Sequence, residues 1–264
     1  MNPLRTRLAA AALGAGLVIA APAAAWAGPL RPVSSTPTSA SQNPTDATRR
    51  TIEDLRSRCL AAIDVRLPAL AAARSALSAN EHVSDDHQAA LVADIDQTAA
   101  RLRDLATLIK ADTDVATLKD HCRSIFEDNR VFALVLPRVR LVVGADTATD
   151  AGAKLGDVAG KLADAIAKAE AREVHQPSPE ADDVRQAKLD LDMMKAHIAS
   201  GVASAGSVAG AVLGLTPADW NANHEVLTPA HESLRSARAD LKVARDLALK
   251  IRNELRPQPA SPQT

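Results

Sequence analysis

Two histidines come closest, in residue type and spacing, to a catalytic metal site. His224 and His231 are each followed by Glu, which matches the start of the H-E-x-x-H motif. In that motif two histidines one helical turn apart hold zinc, and the glutamate acts as general base. The residues four positions after these histidines are Thr228 and Arg235, so each pattern lacks its second zinc ligand. We predict ordinary loop and helix-start roles for both.

A second group of candidate ligands contains His82, Asp85, Asp86 and His87. These residues surround Ser84, a residue type that favours the N-cap of a helix, and acidic side chains are stabilised in a first helical turn. Capping is therefore the preferred interpretation. Since no G-x-S-x-G, P-loop or dinucleotide-binding motif occurs either, we predict no catalytic residue, no metal and no cofactor.

Residues 1–27 have the three parts of an export signal. Arg5 and Arg7 precede an uncharged apolar run, and Ala25-Trp26-Ala27 provides a small-x-small cleavage site. We predict Sec export with cleavage after Ala27, which makes the mature protein secreted, and extracellular or cell-wall associated. An N-terminal membrane anchor is the alternative.

Cys59 and Cys122 are the only cysteines. In an oxidising compartment they are expected to pair, although two free buried thiols would also fit the sequence. If the first three helices run up, down and up, both cysteines lie at about the same height and on apolar heptad positions. We therefore predict a Cys59–Cys122 disulfide.

The segments that flank the core, 28–45 and 256–264, are rich in Pro, Ser and Thr and are predicted to be disordered tails. Between them, apolar residues recur with alternating spacings of three and four, which indicates long packed helices. In the third helix this series is Val115, Leu118, Cys122, Ile125, Asn129, Phe132 and Leu136. The predicted helices cover 46–78, 85–111, 114–172, 181–214 and 229–255, with Thr228 as the cap of the last one and a loop or short helix around Thr216–Trp220. The third is expected to kink near Pro137, with a complete break at Pro137 or Gly144 as the alternative.

This pattern predicts an all-α fold. We expect an elongated antiparallel helical bundle made of two three-helix bundles, 46–136 and 137–255, which share a long central helix in the manner of spectrin repeats. A single compact bundle is the alternative.

Six glycines form two ladders with four-residue spacing, and each costs a helix about 1 kcal/mol relative to Ala. We predict that they allow helices to pack closely. In the alternative interpretation, the uncharged run 198–215 inserts into a membrane. The ladder glycines are Gly152, Gly156, Gly160, Gly206, Gly210 and Gly214.

The composition is 47% hydrophobic but only 2% aromatic, and the formal net charge is −1. Few aromatic rings and no basic excess argue against sugar-stacking clefts and nucleic-acid binding. The last helix is mildly basic, which we interpret as a solvated face, with contact to an anionic cell-wall polymer as the alternative.

Three stretches carry a resemblance: Asp114-x-x-Thr117-Leu118-x-x-x-Cys122-x-x-Ile125, a segment from Arg130 to Val142, and Leu215-Thr216-Pro217-Ala218-Asp219-Trp220. They resemble stretches of uncharacterised secreted helical proteins of actinobacteria. The resemblance implies a signal peptide and a coiled-coil-like rod. It supplies no activity, so it assigns no functional residue.

From these observations we expect a secreted, non-enzymatic helical interaction or spacer protein of the cell envelope, with an unidentified envelope or protein partner. The alternative is a membrane-active, pore-forming-like helical protein that inserts residues 198–215. A hydrolase acting on the envelope ranks third.

Overall fold

The computed structural model describes residues 44–173 and 181–256. The predicted export signal 1–27, most of the predicted tail 28–45 and the end of the predicted tail 256–264 therefore lie outside the described residues. Only the last two residues of the first tail are described, and they belong to the first helix.

The described residues form α-helices and one π-helical turn, without a β-strand, which confirms the all-α class. The helices are α1 Pro44–Ser78, α2 Asp85–Ala111, α3 Val115–Glu127, α4 Leu136–Glu173, α5 Ala181–Val212, α6 Pro217–Ala222 and α7 Thr228–Glu254.

Several helix ends follow from local capping. Ser84 caps α2 as predicted, because its side chain accepts a hydrogen bond from the backbone N–H of His87. Thr216 and Asp219 form a reciprocal capping box that starts α6, the short helix allowed for in this connection. At α7 the prediction was one residue off: Leu227 occupies the N-cap position without a side-chain cap, and Thr228 is already helical.

The first three helices run up, down and up. Arg56 near the start of α1 donates to the carbonyl of Ile109 at the end of α2, so these helices are antiparallel. Cys59 of α1 and Cys122 of α3 lie side by side, while α5 packs along both α4 and α7.

Two clusters of buried side chains hold the helices together. The larger cluster extends from α1 to α7 and includes Ile63, Leu134 and Val208. The smaller one joins α4, α5 and α7 around Ile166 and Met194. Because the larger cluster contains residues from both sides of position 136, the division into bundles 46–136 and 137–255 stays a prediction.

The predicted continuous helix 114–172 is wrong at one place. Helix α3 ends at Glu127, and α4 begins at Leu136, so the break lies before both predicted positions, Pro137 and Gly144. Pro137 is the second residue of α4 and directly follows the π-helical turn. The Leu136 N–H still bonds to the Val131 carbonyl, whereas Pro137 has no N–H with which to continue that series. The break has its origin in Asn129 and Arg130, described below.

The glycine ladders pack closely at one position only. A Cβ on Gly152 would clash with a methyl group of Val202, so α4 and α5 meet closely there. At the other five positions a Cβ would meet nothing within 4 Å, and the prediction of close packing is wrong for Gly156, Gly160, Gly206, Gly210 and Gly214. These five glycines are exposed. Four of them lie on the solvent side of α4 or α5, and Gly214 follows the end of α5.

Two glycines outside the ladders, Gly144 and Gly201, allow their helices to approach α7 closely. A Cβ on Gly201 would sit 3.1 Å from the backbone oxygen of Ala237, and one on Gly144 would sit 2.9 Å from Leu234. Neither glycine belongs to a ladder.

Candidate interaction surface at the junction of α3 and α4

The candidate metal ligands at the start of α2 do not converge. His82 Nδ1 lies 3.0 Å from Asp150, and His87 Nδ1 lies 2.9 Å from Asp146, both on α4. Asp85 and Asp86 occupy the first turn of α2. Within the described residues, no group of three or more His, Cys, Asp or Glu side chains could hold a metal ion.

The other two candidate histidines also lie apart. His224 precedes α7 with its ring centroid 5.6 Å from that of Trp220. His231 is exposed in the first turn of α7.

A third interhelical pair, His197 with Asp240, has the residue types of a Ser-His-Asp triad together with Ser200, but not the hydrogen-bond order of a triad. His197 Nδ1 lies 2.8 Å from Asp240, and the Ser200 hydroxyl donates to the same carboxylate at 2.7 Å. The Ser200 hydroxyl, and after it His197, holds the pKa of Asp240 below its ordinary value. A Ser-His-Asp triad needs the serine on the histidine, whereas here both bind the aspartate, so the group links α5 to α7.

The cysteine pair fixes α3 against α1. The sulfur atoms of Cys59 and Cys122 lie 1.94 Å apart, at disulfide distance, and their Cα atoms are 5.5 Å apart. Both residues are buried. The predicted pairing of Cys59 with Cys122 is therefore confirmed.

The chain then changes direction between α3 and α4. Arg130 adopts the left-handed conformation, with φ 38° and ψ 40°, which costs a non-glycine residue about 1–2 kcal/mol. Its carbonyl accepts hydrogen bonds from Leu134 and Val135 at 2.7 and 3.2 Å. The π-helical turn Val131–Val135 follows, a type of turn that occurs frequently at functional sites.

Two asparagines hold this junction. Buried Asn129 donates to the Ser124 carbonyl at 3.0 Å and so satisfies the last turn of α3. Asn221 of α6 donates to the Glu127 carbonyl at 3.1 Å and accepts a hydrogen bond from Arg130 at 2.6 Å. These bonds compensate for the strained backbone.

The junction places three side chains together at the surface. The rings of Phe126 and Phe132 are 46% and 49% exposed, and the guanidinium carbon of Arg66 lies 4.5 and 5.3 Å from their centroids. Cation–π contacts hold a guanidinium at this range. We call these three residues the Phe–Arg–Phe surface.

Arg66 has no ionic partner among the described residues. Its one hydrogen bond runs from Nη1 to the Ala62 carbonyl, at 2.7 Å within α1. Burial lowers the pKa of the Arg66 guanidinium, and no carboxylate opposes that effect. The charge is thus partly removed from water without a counter-ion.

Sequence periodicity missed this surface. The three-four spacing assigned Phe132 to the core, but the break at Arg130 changes the helical register and turns the ring outward. The sequence feature that could have indicated this surface is the scarcity of phenylalanine, since Phe126 and Phe132 are the only two in 264 residues.

The other sequence-based candidates have ordinary structural surroundings. Cations of the last helix make ion pairs, such as Lys242 and Arg245 with Asp246. Over the described residues, no helix has both the length and the apolarity that a membrane crossing requires. The run 198–215 buries Ala205, Val208 and Val212 in the larger core.

Comparisons with protein-family models, with curated proteins and with solved structures find no match to this chain. Function is therefore inferred from the chain's own residues.

Proposed function

We propose that this protein is a secreted, non-enzymatic helical interaction protein of the cell envelope, and that it contacts its partner through the Phe–Arg–Phe surface. The observation that carries the proposal is the location of Phe126 and Phe132. A chain with only two phenylalanines leaves both half-exposed beside one guanidinium.

Single exposed apolar residues are normal on soluble proteins, so exposure alone argues little. Aromatic residues and arginine are, however, the types enriched where binding energy concentrates in protein interfaces. Here they coincide with a left-handed Arg130 and a π-helical turn, which are strained features of the kind that cluster at functional sites. This coincidence favours an interaction protein over an inert spacer.

The compartment is supported by two separate observations. A cysteine pair at disulfide distance is typical of proteins in oxidising environments. The residue types of 1–27 match an export signal. Secretion is tested by expressing the full chain in a bacterium and measuring the protein in the culture supernatant. Retention of the uncleaved chain in the cell pellet would contradict it.

The interaction is tested by cross-linking the purified secreted protein to an envelope fraction of the producing cells. We compare the wild type with Phe126→Ala/Phe132→Ala and with a matched control, Leu108→Ala/Leu189→Ala. The control leucines are 49% and 55% exposed and lie on α2 and α5. We expect the phenylalanine variant to lose a cross-linked partner that the control retains.

Equal capture by both double variants would refute the assigned surface. Circular dichroism and thermal unfolding of each variant establish that any loss of capture does not come from a loss of fold. A parallel sample in reducing buffer measures whether the partner requires the Cys59–Cys122 link.

A further inference from the structure

We propose that the Phe–Arg–Phe surface binds an acidic residue of a protein partner: Arg66 holds the carboxylate, and Phe126 and Phe132 contact an apolar side chain next to it. The inference rests on the proposed function and names the chemistry of the partner.

The first argument is the unused hydrogen-bonding capacity of Arg66. A guanidinium has five N–H donors, and within the described residues Arg66 uses only Nη1, toward the Ala62 carbonyl. A planar carboxylate can accept two parallel bonds from such a group. The remaining donors therefore suit a carboxylate.

The second argument is the surroundings of the Arg66 guanidinium, which differ from those of two paired arginines. Arg74, also on α1, binds Asp96 at 2.8 Å, and Arg138 on α4 binds Asp94 at 2.8 Å. Arg66 has instead two aromatic rings against its guanidinium and, in the part of the chain that the structure describes, no acid. Because the rings and the helix hold the side chain in place, little conformational entropy is left to lose on binding.

The third argument selects a single carboxylate over a polyanion. Polyanionic polymers and anionic lipid surfaces are bound by several cations together. Arg66 is accompanied by acids close in sequence, namely Asp64 on its own helix and Glu127 and Asp128 after Phe126. Val65, which precedes Arg66 in the sequence, is 62% exposed. One acidic residue flanked by apolar side chains fits this combination.

The probe is a random dodecapeptide library displayed on phage, selected on the immobilised full-length secreted protein. Selected peptides are then synthesised, and their affinities are measured for wild type, Arg66→Gln, Arg66→Lys and Phe126→Ala/Phe132→Ala. Arg74→Gln serves as the control, because it removes an arginine of the same helix that already has a partner.

We expect selected peptides to be enriched in Asp or Glu next to an apolar residue. Arg66→Gln should weaken their binding about 10- to 100-fold, the range for hydrogen bonds to charged groups. Arg66→Lys should be intermediate, because lysine keeps the charge but lacks the planar fork. Arg74→Gln should bind as the wild type does.

Three results would overturn the inference. Peptides that require Phe126 and Phe132 but lack acidic enrichment and tolerate Arg66→Gln would leave the proposed interaction surface intact and exclude its acidic ligand. If no selected peptide depends on the two phenylalanines for binding, the proposed binding of an acidic residue is excluded. The cross-linking experiment would then still decide the proposed function.

The third result concerns lipids. Vesicles of phosphatidylglycerol and phosphatidylcholine are sedimented with wild type and Arg66→Gln. Arg66-dependent sedimentation, together with a selection that yields no acid-enriched peptides, would assign the guanidinium to lipid phosphate instead.

Discussion

The buried pair of Arg138 and Asp94 offers a test of the packing. Helix α2, which carries Asp94, also carries Asp96, whose ion pair with Arg74 is exposed and serves for comparison. Arg138 Nη1 lies 2.8 Å from Asp94, and its Nη2 donates to the Leu215 carbonyl. The Arg138 side chain is 5% exposed, and that of Asp94 is 25% exposed. Asp94→Ala would leave a buried guanidinium with only a carbonyl partner.

The expected loss follows from these contacts. Removing one partner of a buried ion pair typically destabilises a protein by about 3–5 kcal/mol. Asp94 keeps some access to water and the Leu215 bond survives, so we expect the lower end, about 3 kcal/mol. For a domain of this size, that corresponds to a drop in Tm of roughly 6–12 °C.

Asp96→Ala is the matched control on α2. Asp96 and Arg74 are 50% and 49% exposed, and exposed pairs contribute about 0.2–1 kcal/mol. Both substitutions change Asp to Ala inside the same helix, so their effects on helix propensity cancel in the comparison. Urea unfolding followed by circular dichroism gives both free energies, at low and at high salt.

The reasoning is refuted if Asp94→Ala and Asp96→Ala destabilise equally, or if both effects disappear in high salt. A second variant, Asp94→Leu/Arg138→Met, tests the cause. Because it removes the buried charge together with its partner, it should be much less destabilised than Asp94→Ala.

Three further predictions concern other parts of the chain. Gly206→Ala should stabilise the protein by about 0.5–1 kcal/mol, since its Cβ meets open space, whereas Gly201→Ala should destabilise it, and urea unfolding that ranks them the other way would contradict the packing. Thiol titration of the unreduced, denatured protein should find no free thiol, and Cys59→Ser/Cys122→Ser should lose about 4 kcal/mol in the chain-entropy model; two titratable thiols would exclude the disulfide. Burial, and after it the Asp190 carboxylate, raises the pKa of Glu254. The folded state therefore binds this proton more tightly than the unfolded state, and stability falls as the pH rises through the folded-state pKa. Glu254→Gln should therefore be more stable than wild type at pH 7 and lose that advantage below the ordinary glutamate pKa of about 4.3, and a constant difference in unfolding free energy between the two pH values would argue against this.

The sequence specified most helices because their ends carry local signals. Ser84, a residue type that favours the N-cap, and the heptad spacing after it predicted α2 to the residue. The end of α3 carried no such signal. Asn129 falls on the apolar spacing, and only the folded chain reveals that its amide bonds to Ser124 and that the backbone turns left-handed at Arg130.

The Phe–Arg–Phe surface could not be predicted from the sequence, for a similar reason. Periodicity assigns residues to a face but does not tell which face another helix covers, as the exposed Gly206 and Gly210 illustrate. The Phe–Arg–Phe surface combines a residue of α1 with residues on each side of a break that periodicity did not indicate. By contrast, Cys59 and Cys122 were predictable because two cysteines allow only one pairing.

The two hydrogen bonds of Asn221 connect the junction to a distant part of the chain. Asn221 binds Glu127 and Arg130 across 94 and 91 residues of chain, whereas Cys59 and Cys122 are separated by only 63. A chain truncated before α6 would keep Arg66, both phenylalanines and the cysteine pair, yet it would lack both hydrogen bonds of Asn221. The geometry of the Phe–Arg–Phe surface therefore depends on a helix that contributes no residue to it.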